Sequence, residues 1–160
     1  MFWDLVFVIL VKEAEVSMDE ITIRTDNTPM GTRAIERLWN DVVTGVVPLL
    51  SHAEPGQFPI ARYSAYASDA NGAFDLTILL ADSGRVGQLE AETESGEYRR
   101  YQETGVDVAA CTVQAWQRVW DEERAGKLRR AYSEDFEVST PAEYAPDGQA
   151  KCVLYISQAR

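Results

Sequence analysis

Histidine and cysteine are scarce in this chain of 160 residues, which holds one histidine, His52, and two cysteines, Cys111 and Cys152. Neither cysteine sits in a C-x-x-C pair, so the chain fits neither a thiolate or imidazole metal site nor a disulfide framework. Two buried, reduced thiols are expected instead. His52 lies in a loop beside Ser51 and Glu54 and reads as a surface group rather than a member of a catalytic triad. Positive charge is also short: 15 Lys plus Arg stand against 26 Asp plus Glu, a net charge of −11. Such a surface repels phosphates and anionic lipid and concentrates cations near any cleft, which argues against direct nucleic-acid binding. At its plainest, the acidity keeps the protein soluble. Long apolar runs are missing too. The opening "MFWDLVFVILV" carries Asp4, has no basic n-region or small-residue cleavage signature, and is too short to span a bilayer. Neither secretion nor membrane insertion is expected, and the cytoplasm is the expected location. No G-x-x-x-x-G-K-[ST], G-x-G-x-x-G, H-E-x-x-H or G-x-S-x-G motif occurs, so no cofactor and no metal are expected.

What is present is patterned. "DEITIRTDN" alternates, with Ile21 and Ile23 on one face, and stops at Asp26 and Asn27, which predicts a short strand. Thr28 followed by Pro29 reads as N-cap and first helical position. Ile35, Leu38, Trp39, Val42, Val43 and Val46 then recur at spacings of three and four, predicting one helix that ends before Pro48. "IARYSAYA" and "AFDLTILLA" are strand-like runs joined by "SDANG", a hairpin signal. A Gly- and Glu-rich connection over residues 83 to 96 leads to "EYRRYQE", a further strand. A second helix is expected after Asp107, with an apolar stripe through Thr112, Trp116, Val119 and Trp120 and a stop at Gly126. "RRAYSEDFEVS", a polar loop and "KCVLYISQ" complete the chain.

The two halves repeat one order. "ERLWNDVV" and "VQAWQRVW" each centre on a tryptophan, Trp39 and Trp116, and each helix is followed by a tyrosine-rich strand. An internal duplication of a strand-helix-strand-strand unit follows, with halves at about residues 19 to 82 and 96 to 157 of one domain spanning 19 to 160, and residues 1 to 18 as an extension of unclear role. The predicted fold class is α+β: about eight antiparallel strands, two helices on one face, and a ligand cleft on the other. In the strand expected at 132 to 138, Phe136 and Val138 share one side and Glu137 points to the other. If Phe136 and Val138 pack on the helices, Glu137 faces the cleft.

"RAYSEDFEVS", "AWQRVW" and "ARYSAYASDANGAFDLTI" resemble the gyrase-inhibitor-like, AraC-type effector-binding fold, and within it the integron-associated effector-binding proteins. The resemblance covers residues 19 to 157. It implies two fused copies of one unit with a pocket for an amphipathic or drug-like cation between them, without the DNA-binding helix-turn-helix of the regulator members. Glu137 matches the glutamate of the family's "DFE" pattern, the carboxylate that faces the ligand, and Trp39, Tyr66 and Trp116 are implied as aromatic lining. Where the family often has a tyrosine two residues after that glutamate, this chain has Ser139, which widens or wets that end of the pocket.

The residues make a parallel case. A carboxylate in a partly dry aromatic trough attracts a cation by about 4 kcal/mol at contact distance if the effective dielectric is near 20, and each ring adds about 0.5 to 2 kcal/mol. The candidate ligand-binding set is Glu137, Trp39, Tyr66, Trp116 and Tyr155. The plain alternative is a solvated Glu137 and core tryptophans. Two other functions stay open. One is hydrolysis of an electrophilic small molecule with Glu137 as general base, and the other is docking to a protein partner through an acidic face.

Overall fold

The computed structural model describes residues 19–160; the extension expected over residues 1 to 18 lies outside the described residues. Thr28 opens the first helix, α1 (Pro29–Val43), as expected: its side chain accepts the Gly31 N–H at 3.1 Å, and Pro29 stands where an N–H has no partner anyway. Asp107 likewise caps the helix α3 (Val108–Arg124) by accepting the Ala109 N–H at 3.1 Å. Gly126, with φ +73°, supplies the left-handed residue that ends it. Between them the stretch expected to be a loop forms a third helix, α2 (Ser83–Glu94), capped by Asp82. Two glycines and a single buried residue, Leu89, hide its periodicity.

Six strands, rather than about eight, build the sheet: β1 (Glu20–Thr25), β2 (Phe58–Ser64), β3 (Phe74–Ala81), β4 (Tyr98–Gly105), β5 (Asp135–Thr140) and β6 (Ala150–Ser157). Their order is β1-β3-β2-β5-β6-β4, and every neighbouring pair is antiparallel. This is the α+β antiparallel fold that the sequence predicts. The order reads the same from either edge once β1-α1-β2-β3 is exchanged with β4-α3-β5-β6. At the centre Ala61 pairs with Glu137 and Tyr63 with Asp135 about the Arg62–Phe136 pair, so the exchange carries Tyr63 onto Glu137. Two local expectations change. The hairpin turn at Asn71-Gly72 is part of a longer loop from 65 to 73, and β5 begins at Asp135 because Tyr132 takes a φ of 53°.

Register assigns the faces. One row crosses the whole sheet through Ile21, Ile78, Ala61, Glu137, Leu154 and Tyr101. Glu137 is its one charged member. Helix α1 covers the β1-β3-β2 end of this face through Leu38 and Val42, and α3 covers the other end through Cys111, Ala115 and Val119. The adjacent row, on the opposite face, contains Arg62, Phe136 and Tyr155. There α2 packs Leu89 against Ile60, Phe136, Val153 and Tyr155, and the Arg85 guanidinium lies 4.8 Å from the centroid of the Phe136 ring. Phe136 and Val138 therefore pack beneath α2, and Glu137 lies on the face covered by α1 and α3 rather than on the face away from them. The reversal has a simple cause: a third amphipathic helix, invisible in the letters, needed the Phe136 face.

Candidate functional site

Glu137 sits at the centre of β5 with only 3% of its surface exposed. Two neutral donors converge on its Oε1: the Tyr63 hydroxyl donates at 3.0 Å and the Trp116 Nε1–H at 2.8 Å. Each donor arrives from a different element. Tyr63 comes from β2, on the same face, and Trp116 reaches across from α3 to join the cluster beneath α1. Their rings meet edge to face with centroids 4.9 Å apart, and Trp120 follows Trp116 at 6.1 Å. Burial pushes the Glu137 carboxyl above its ordinary value, and the hydrogen bonds from Trp116, Tyr63 and Ser139 partly offset that push. The same carboxylate acts back on its neighbours. Burial and then Glu137 raise the Tyr63 hydroxyl, and the same two causes bring the Cys152 thiol up to about 12. Both cysteines are free and buried.

Two residues earlier on the same side of β5 lies a second carboxylate, Asp135, with 0% exposure. It is fully served. Its Oδ2 accepts from Arg130 Nη2 at 2.8 Å and from the Tyr66 hydroxyl at 2.6 Å, while its Oδ1 accepts from Ser157 N at 2.8 Å and Ser157 Oγ at 3.0 Å. The Arg130 guanidinium is itself wrapped in rings, 4.3 Å from the centroid of Tyr132, 5.6 Å from Tyr66 and 5.8 Å from Trp116. Among the described residues no ion pair involves Glu137, whereas Asp135 has its own cation.

Of the residues singled out in the sequence, the structure brings Trp116 directly onto Glu137. Tyr66 reaches the same face because Ala65 takes a φ of 50°, turning the ring off the Ile60–Arg62 side and over Phe74 at 5.7 Å. Its hydroxyl goes to Asp135, not Glu137. Trp39, half-buried, packs against the cluster beneath α1. Tyr155 is on the opposite face, under α2, where its hydroxyl donates to Glu90 at 2.6 Å, so it is out of reach of Glu137. Ser139 is on the Glu137 side and its Oγ is 3.4 Å from Thr112 Oγ1. Tyr63, Asp135, Arg130 and Tyr132 escaped the sequence reading. The repeated order of elements makes Tyr63 the counterpart of Glu137, and two-residue spacing places Asp135 on the Glu137 side; nothing local marks Arg130 as buried.

No family model matches the chain, and neither does any curated protein. A solved structure does. It is described as an integron cassette protein from the mobile metagenome of Vibrio cholerae, and it matches with a TM-score of 0.58 and 22% identity over 86% of each chain. The two proteins share a fold. Among the described residues, no helix is long and apolar enough to cross a membrane.

Proposed function

We propose that the protein is a receptor for a compact organic cation, held in the seam between α1 and α3 with Glu137 as counter-charge. One observation carries the reading: Glu137 is buried among aromatic rings and held by neutral donors alone, while the neighbouring Asp135 has its own arginine. A buried carboxylate without a cation is costly, and nature keeps such groups where a charge is to be met. A guest cation placed against Glu137 would gain the Coulomb attraction of a partly dry site together with contact to the Trp116 and Tyr63 rings. The resemblance of "DFE" and "AWQRVW" to gyrase-inhibitor-like effector-binding proteins points the same way. Calorimetric titration with N-methyl-phenylpyridinium and with neutral phenylpyridine at pH 8 tests it, repeated in Glu137→Gln. The cation is expected to bind at least tenfold more tightly than its neutral analogue, and the variant to lose that preference. Equal affinities would sink the proposal.

A second reading rests on the Tyr63 hydroxyl beside a carboxylate of raised pKa. That pair has the form of a general base with a polarising partner, suited to hydrolysis of an electrophilic small molecule. Turnover that disappears in Glu137→Gln would favour it over a receptor.

A further inference from the structure

The seam holds two buried carboxylates and one buried guanidinium, all on one face and all touching a common ring system. Trp116 links them: its Nε1–H donates to Glu137 at 2.8 Å while its ring lies 5.8 Å from the Arg130 guanidinium. Arg130 is held to Asp135 at 2.8 Å with side-chain exposures of 2% and 0%, and it is flanked by Tyr66 and Tyr132. The Tyr132 hydroxyl is fastened in turn to Glu123 of α3 at 2.6 and 2.7 Å. An acidic group, two phenol rings and an indole around a flat cation form a complete cation site, and it is already occupied by the chain itself. With Arg130 paired to Asp135, Glu137 is the one fully buried carboxylate among the described residues without a cation, while the half-buried Glu123 is fastened to Tyr132.

We infer that Arg130 is a built-in occupant that sets the charge of the guest: the seam selects compact monocations and rejects dications. This rests on the reading of Glu137 as counter-charge and goes further by naming the ligand class. A guest bearing a second positive charge, seated on Glu137, would point that charge either at Arg130 across Trp116 or into the apolar row of the sheet. Repulsion by a like charge and desolvation both oppose it. Replacing the arginine with a neutral side chain removes the repulsion and, with Asp135 still ionised, adds a second anionic subsite.

A matched series of rod-like biaryls tests the inference by calorimetry: neutral phenylpyridine, monocationic N-methyl-phenylpyridinium and dicationic methyl viologen. In the wild-type protein the monocation should bind at least tenfold more tightly than the dication. In Arg130→Met the order should narrow or invert. Because that variant leaves Asp135 buried without its partner, the doubly neutral Arg130→Gln, Asp135→Asn protein is measured beside it, and there too the discrimination against methyl viologen should narrow, with only the desolvation of the second charge left to oppose it. Methyl viologen binding the wild-type protein as tightly as the monocation, or unchanged discrimination in the doubly neutral variant, would overturn the role given to Arg130. Failure of the monocation to bind better than phenylpyridine would instead overturn the counter-charge reading on which it stands.

Discussion

Glu137 and Asp135 show how differently two carboxylates behave two residues apart. Asp135 is the one carboxylate paired with the buried Arg130, so removing it leaves that guanidinium charged, buried and without its counter-charge. Asp135→Ala should therefore cost about 3 to 5 kcal/mol of stability, the usual consequence of breaking a buried pair, measured by urea unfolding. Glu137→Gln should do the opposite. Glutamine keeps an oxygen for the Tyr63 and Trp116 donors and removes the buried charge. Because burial raises the carboxyl pKa in the folded protein, the wild type loses stability as pH rises from the unfolded value near 4.5 through the raised one. The glutamine variant has no such loss. Its melting temperature should match the wild type below pH 4.5 and exceed it at pH 7 and above; a lower value at pH 7 would show that Glu137 is held in its ionised form by something else.

The elements place these side chains by rules that are partly local. Both long helices begin at side-chain caps at the positions the sequence marks, and Asp107→Ala should cost about 1 kcal/mol, typical for losing such a cap, read from the urea midpoint of unfolding. Since α3 carries Trp116, fraying of its first turns should weaken cation binding more than it weakens the fold. The third helix was not legible, because α2 buries only Leu89 and carries Gly84 and Gly87. Its presence inverts the sheet: with α2 on the Phe136 face, Glu137 goes beneath α1 and α3. At Ala65 and Tyr132 a positive φ interrupts the two-residue alternation, so strand phase alone does not carry through to the sides that Tyr66 and Tyr132 occupy.

At the scale of the molecule, two similar units meet along β2 and β5 through the short register from Ala61 to Tyr63. Glu137 and its counterpart Tyr63 lie at that junction. A residue at that junction is within reach of both units, and Glu137 takes Tyr63 from one and Trp116 from the other. The net charge of −11 acts over the whole surface and should draw a cationic guest toward the protein. Stopped-flow association of N-methyl-phenylpyridinium should slow as sodium chloride is raised from 20 to about 500 mM, with a much smaller change in dissociation, since salt screens exposed charges more than buried ones. Salt dependence confined to dissociation would place the attraction in the seam alone.

By itself the sequence determined the α+β class, the two capped helices, the repeated order of elements and the candidacy of Glu137, because caps, apolar periodicity and a repeated motif are written in neighbouring letters. Only the tertiary structure decided which face Glu137 occupies, that Tyr155 lies under α2 on the other side, and that Arg130 fills the space between Tyr66, Tyr132 and Trp116. Those outcomes depend on strand register, on two left-handed residues and on an ion pair formed across a turn. Each is settled by competition for buried surface among segments distant in the chain, and no short window of sequence contains all the competitors.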